Sequence, residues 1–316
     1  MEFTGEEPIV TISVITYNSA EYVIETLESI KSQTWRNLIL HICDDCSKDN
    51  TVELCKKWIE TYKGRFVKTS IIVPEHNTGV AANYNRSWEA CETEYMKEIA
   101  GDDVLLPNCI EEFMKYVADN PNAIVTFSKV ECFGEDKNHI NDVDNFFHKI
   151  TYPLFYSSRE EKIDRLLTQG NFLPAPSAFV NIFKLRDLGI CHDERIPMIE
   201  DAPKWANFLM TGKDFFFLNK TLVKYRIGSG ISTTNTYESL SYVISRRSFF
   251  IYYKLPYCIE KGYLTQLDDL LKYETNLLIK CRELENSKMI RFKGRILSII
   301  SRIKVIGTKL KSLSCF

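Results

Sequence analysis

"IVTISVITYNSAEYVIETLESIKSQTWRNLILHICDDCSKDNT", residues 9–51, holds two apolar runs with an amphipathic stretch between them. The first run, 9–16, is rich in β-branched residues and reads as a buried strand. Residues 20–32 place Val23, Ile24, Leu27 and Ile30 on one helical face. A second strand is predicted over 37–43 and a helix from Thr51, with Asn50 and Glu53 spaced as a capping box. Working outward, 66–73 reads as a third strand, a helix follows Gly79, and 95–100 gives a fourth strand. Such alternation predicts an α/β domain whose parallel sheet carries helices on both faces.

In open sheets of this kind ligands bind beyond the carboxyl ends of the strands. Thr16, Tyr17 and Asn18 follow the first strand, Asp44 and Asp45 end the second, and Gly101, Asp102 and Asp103 follow the fourth. Asp44 and Ser47, taken alone, read equally well as turn formers or helix caps. Two carboxylate pairs aimed at one crevice repel each other unless a cation or ligand donors compensate, which favours a ligand site.

The chain has 316 residues, 45% hydrophobic and 26% charged, with a formal net charge of −2. That balance belongs to a globular protein with a sizeable core and gives no ground for nucleic-acid binding. Residues 1–18 lack the basic start of a secretory signal, and no run reaches the roughly eighteen apolar residues of a spanning helix. The expected location is therefore cytoplasmic. The ten cysteines are irregularly spaced, as buried small hydrophobes would be in a reducing compartment. Cys43 and Cys46 form one Cys-x-x-Cys, but a structural zinc needs a second ligand pair, and two intervening carboxylates suit neither zinc nor redox use.

Five segments then occur in an order that resembles the family 2 glycosyltransferases of bacterial surface polysaccharide biosynthesis, which have the GT-A fold. They are residues 12–51, "NTGVAANYNRSWEACETEYM" (77–96), "GDDVLLP" (101–107), "IPMIEDAPKW" (196–205) and "VKYRIGSGIS" (223–232). The resemblance covers roughly 8–232. It implies that Thr16, Tyr17 and Asn18 border a nucleotide-sugar, that Asp45 meets the base, usually uracil, and that Asp44 supports the same turn, with Cys43 and Cys46 packed beneath. Asn77, Gly79 and Asn85 match the donor side. Asp102 matches the aspartate of the family's D-x-D motif, which binds Mn²⁺ or Mg²⁺ at the diphosphate, and Asp103 stands beside it. Pro107 is placed to open the next helix at its first turn. Three positions depart from the pattern: Ala100 stands where many relatives carry Asp, Gly228 where a His is frequent, and Tyr84 where an Arg is usual.

Members with these motifs invert the anomeric centre, and their general base is the aspartate of a Glu-Asp pair opening a helix. Here that pair is Glu200 and Asp201, with Asp201 as the base. Residues 170–180 resemble the family's acceptor-side segment, and the acceptor is expected to be a glycan or lipid-linked glycan. Residues 134–151 read as a long polar loop, either lid or mobile connection.

These assignments divide the chain into a catalytic domain, 1–235, with a nucleotide-sugar half (8–110) and an acceptor half (111–235), and a helical C-terminal region, 236–316. In 289–316, within the tail 288–316, Phe292, Ile296, Ile299, Ile300, Ile303, Ile306, Leu310 and Leu313 recur on one face against seven Lys and Arg. That pattern suits an interfacial helix on anionic lipid at the cytoplasmic face of the inner membrane, or a helix packed on protein. Two other readings compete with a transferase. A nucleotidyltransferase would show a Gly-rich basic loop after strand one, where "TYNSAEY" (16–22) has none. A non-catalytic nucleotide-sugar sensor would tolerate the loss at Ala100 and Gly228, yet has no use for an intact Asp102 and Asp201.

Overall fold

The computed structural model describes residues 7–228 and 240–263, together with 271, 272, 275, 276 and 279. The first part alternates as expected: β1 (Val10–Thr16), α1 (Val23–Lys31), β2 (Leu38–Asp44), α2 (Thr51–Tyr62), β3 (Lys68–Ile72), α3 (Val80–Ala90) and β4 (Tyr95–Ala100). Every residue of β1 and β2 is buried, which is why both read as largely apolar runs rather than alternating ones. Val23, Leu27 and Ile30 of α1 face the sheet and are fully buried. The capping box does not form. Asn50 contributes no side-chain cap to α2. Asp49 takes that part instead, its Oδ1 accepting from Thr51 N at 3.0 Å and Thr51 Oγ1 at 2.6 Å.

The second part comprises β5 (Val104–Leu105), α4 (Cys109–Asp119), β6 (Val125–Gly134), α5 (Lys137–Phe146), α6 (Tyr152–Leu154), α7 (Arg159–Thr168), β7 (Phe179–Asn181), α8 (Ile182–Asp187), α9 (Asp201–Met210) and β8 (Phe216–Ile227). Two further helices follow, α10 (Leu240–Phe249) and α11 (Leu255–Lys261). All strands join one sheet of order β3-β2-β1-β4-β7-β6-β8-β5. It is mixed: β3, β2, β1 and β4, the four strands read from the sequence, run parallel as expected, whereas β7 pairs antiparallel with both β4 and β6, and β5 antiparallel with β8.

Two local expectations also change. Residues 137–146 form a helix capped by Asp136, whose side chain accepts from Asn138 N and His139 N, and a π-helical turn continues it through 147–151. The only apolar contacts of 137–146 with the core come from Val143 and Phe146, so its polar remainder reads as loop. Pro107 lies outside α4, which starts at Cys109 after an Asn108 cap. Its carbonyl accepts from Thr34 N at 2.8 Å, fixing the chain before the helix rather than within it.

Phe127 centres the core of the second part, with ring contacts to Phe155, Trp205 and Phe215 at 5.2 to 5.4 Å. Compact units divide at Tyr263/Leu264, and α10 and α11 fall in the first of them. Residues 288–316 lie outside the described residues. Among the described residues no helix is long and apolar enough to cross a membrane.

Candidate active site

Strand register brings the polar strand ends together. Thr16 pairs with Asp44 across β1 and β2, and Ile15 pairs with Ala100 across β1 and β4, so 44–45 and 101–103 flank the end of β1. Asp44 is fully buried and holds the turn: its carboxylate accepts from Thr16 Oγ1 at 2.8 Å, Ser47 N at 2.7 Å and Ser47 Oγ at 2.5 Å. Asn18, in the left-handed region at φ 51°, binds Ser47 and Lys48 and laces the loop after β1 to the one after β2. Tyr17 projects from this rim, 45% exposed. Gly101 is required by close approach: a Cβ there would lie 2.8 Å from Thr16 Cγ2 and 3.1 Å from Ser19.

Asp45 has a different set of partners from the one expected. Its carboxylate accepts from Thr78 N at 3.0 and 3.1 Å, Thr78 Oγ1 at 2.7 Å, Gly79 N at 2.7 Å and Arg86 Nη2 at 2.8 Å. Only 2% exposed, it organises the 77–79 loop and the first turn of α3 rather than offering a bare carboxylate to a base. Asn77 belongs to the same scaffold, donating to the Asp45 carbonyl at 3.1 Å. Arg86, not singled out from the sequence, is its ionic partner. Asn85 faces away from this crevice: it donates to His192 O at 3.0 Å and accepts from His192 N at 2.9 Å, clamping the chain before α9 to α3.

The Cys-x-x-Cys pair is divided. Cys43 is buried against Ser13, and burial pushes its thiol up to about 11, so it stays protonated and inert. Cys46 does not lie beneath the aspartates. It is half-buried at φ 62°, beside the Glu75 carbonyl and Lys48.

Asp102 and Asp103 follow β4 and are held from β8. Arg226 Nε donates to the Asp102 carbonyl at 2.8 Å, and Arg226 N to Asp103 Oδ1 at 2.8 Å. The Arg226 guanidinium lies 4.3 Å from the ring centres of both Tyr22 and Phe133 and pairs with Glu25, which fixes it. Asp103 is 1% exposed and its Oδ2 has no hydrogen-bond partner. Burial, with Asp102 beside it, pushes its carboxyl well above the usual range. Among the described residues no three His, Cys, Asp or Glu side chains could enclose a metal ion. One half-buried carboxylate beside a buried one fits a hard cation that takes its other oxygens from phosphate and water, and does not fit a metal caged by protein alone.

Glu200 caps α9 and Asp201 is its first residue. Asp201 retains 16% side-chain exposure and meets Lys204 Nζ at 3.5 Å. Burial and the neighbouring Asp201 raise the Glu200 carboxyl. Tyr84 ties these groups to the other strand ends: burial pushes its hydroxyl up, and Glu200, Glu98, Asp201 and Asp103 add to the effect. The carboxylates after β4 and at the start of α9 therefore act electrostatically on the same phenol.

A family model described as Glycosyl transferase family 2 matches residues 11–185. TuaG of Bacillus subtilis, provisionally named as a teichuronic acid biosynthesis glycosyltransferase, is 20% identical over 249 residues, which is 79% of this chain and 89% of TuaG. Mannosyltransferase PcManGT from Pyrobaculum calidifontis, solved with GDP-Man and Mn²⁺, superposes with TM-score 0.56 at 15% identity, covering 95% of this chain and 81% of that one. S. aureus TarS 1-349, solved with UDP-GlcNAc, gives 0.55 at 17% identity, covering 77% of this chain and 66% of that one. The chain thus spans just under two thirds of the TarS fragment and 39% of the longer TarS chain. These likenesses establish the GT-A fold.

Proposed function

This chain belongs to glycosyl transferase family 2, and we propose that it transfers a sugar, with inversion, from a UDP-sugar to a glycan or lipid-linked glycan. The observation that carries the reading is the register of β1, β2 and β4, which brings Asp44, Asp45, Asp102 and Asp103 to one strand end, with Asp201 linked to β4 through Lys204, which also meets Glu98. The UDP-GlcNAc complex of TarS supports the donor class, the GDP-Man complex of PcManGT makes guanosine the alternative base, and the name of TuaG supports a surface-glycan acceptor.

In the proposed reaction the acceptor oxygen forms a bond to the sugar C1 as the bond from C1 to the diphosphate oxygen breaks. The acceptor proton passes to Asp201, and the nucleoside diphosphate leaves. Thr16, Tyr17 and the 77–79 loop border the nucleoside, the loop being shaped by Asp45. Asp102 would hold Mn²⁺ or Mg²⁺, which supplies charge neutralisation at the diphosphate when bound. Asp103, buried beside Asp102 and accepting from Arg226 N, steadies the strand end that carries Asp102. A general base contributes about 10²- to 10⁴-fold, so Asp201→Asn should lower turnover by that factor while calorimetry finds donor affinity unchanged. Wild-type turnover by Asp201→Asn refutes the base assignment. Release of nucleoside diphosphate from a panel of UDP- and GDP-sugars, with and without Mn²⁺, identifies the donor. Peripheral membrane attachment through 288–316 is part of the proposal, and loss of binding to anionic vesicles on deleting those residues tests it.

A further inference from the structure

Lys204 is 2% exposed, on the first turn of α9 and one helical turn from Asp201. An ammonium is buried only where charge and hydrogen-bond partners meet it. Its Nζ lies 3.2 Å from His192 Nε2, 3.5 Å from Asp201 Oδ1 and 3.9 Å from Glu98 Oε2, and 4.1 Å from the ring centre of Trp205. The rings of Trp88 and Tyr84 stand at 5.4 and 5.5 Å. The ionisable groups facing it are therefore Glu98 from β4, Tyr84 from α3, His192 from the chain before α9, and Glu200 and Asp201 from α9 itself.

Neutralising Glu98 does not by itself explain this placement. Glu98 has its own donor, Trp88 Nε1 at 2.5 Å, and is the more distant of the two carboxylates. The nearer carboxylate, Asp201, is the one with access to solvent. His192 is held neutral by burial and by Lys204, and its ring stacks on Tyr84 at 4.7 Å, so it anchors the ammonium through Nε2 without competing for charge.

We propose that Lys204 is a positioning residue for Asp201, turning Oδ1 inward and presenting the other carboxylate oxygen to the acceptor, while Glu98 and His192 hold the ammonium from beneath. This rests on Asp201 being the base, and it ties that base to β4, the strand that carries Asp102 at its end.

Three variants test it: Lys204→Met, which keeps the volume beside Trp205, the double variant Lys204→Met/Glu98→Gln, which also removes the carboxylate left unpaired, and Asp201→Asn. Each is melted, titrated with UDP-GlcNAc by calorimetry, assayed with the donor that gives turnover in the panel, and crystallised. Lys204→Met should melt lower than wild type and lose about 100-fold in kcat with donor affinity within about twofold. The double variant should regain the melting temperature but not kcat, and its Asp201 carboxylate should adopt a different rotamer. Recovery of kcat together with the melting temperature, or an Asp201 carboxylate unmoved in the double variant's crystal structure, overturns the proposal. Wild-type turnover by Asp201→Asn overturns the base assignment instead, and the rotamer comparison then still decides whether Lys204 sets the Asp201 carboxylate.

Discussion

Replacing Asp45 should cost more than replacing its ionic partner, although both substitutions break the same salt bridge. Asp45→Ala leaves Thr78 N and Gly79 N without acceptors and the Arg86 guanidinium without a counter-charge. The two amides are half-buried and cost about 1 kcal/mol each, and the charged hydrogen bond adds about 1.5–3 kcal/mol, giving roughly 3–5 kcal/mol. Arg86→Met removes one donor from a carboxylate that still accepts from two amides and a hydroxyl at the N-terminus of α3, so about 1–2 kcal/mol is lost. Urea unfolding of both variants, with slopes checked for equality, gives the two values. The ordering is the sharper test than either size. Equal losses, or a larger loss for Arg86→Met, would show that the ion pair rather than the amide cradle holds the 77–79 loop, and would return Asp45 to the nucleobase.

Gly79 sits at φ +93° with Pro197 Cβ 3.0 Å from where its own Cβ would stand, so Gly79→Ala should lose about 1–3 kcal/mol in urea unfolding and weaken donor binding. An alanine as stable as wild type would refute that. Lys97 is fully buried, and burial lowers its ammonium to about 8. Between that value and the unfolded value of about 10.4 the unfolded chain binds more protons, so stability should rise with pH across this window. Melting curves at several pH values should show Lys97→Met without that rise, whatever its absolute stability. For Asp102→Asn, Mn²⁺ should no longer strengthen UDP-sugar binding in calorimetry, whereas wild type should weaken on chelation. Equal Mn²⁺ dependence in both would remove Asp102 from the metal site.

The first part was legible because β1 and β2 are covered on both faces and leave a largely apolar, β-branched signal, and because Gly79 and the strand-end carboxylates need particular residue types. The second part was not, for physical reasons. β5 and β7 have two and three residues, too few to show a period, and their antiparallel pairing depends on partners distant in sequence. Side-chain partners were not legible either. Asp45 and Asn85 carry the residue types of a ligand site, but tertiary contacts give both to protein donors and acceptors. Lys204 at three positions from Asp201 reads as a surface helix pair. Its burial appears only when α9 packs against β4, and it puts a cation beside Tyr84, where the family resemblance leads one to expect Arg.

Helix α3 explains why the donor and acceptor sides should respond together. Its N-terminus is held by Asp45 through Thr78 and Gly79, and Gly79 in turn packs on Pro197, whose carbonyl accepts from Ala81 N at 3.4 Å. One turn further on, Asn85 grips His192 by both its amide and its carbonyl, and His192 reaches Lys204 beside Asp201. The same short helix thus sets the loop proposed to border the nucleoside and the segment that carries the proposed base. A substitution that tilts α3 by a fraction of an ångström acts on both, because a packed interior passes displacement to its neighbours rather than absorbing it. Asp45→Ala should therefore lower kcat as well as donor affinity, although Asp45 touches no reacting atom, whereas Asp102→Asn should weaken the donor without moving Asp201.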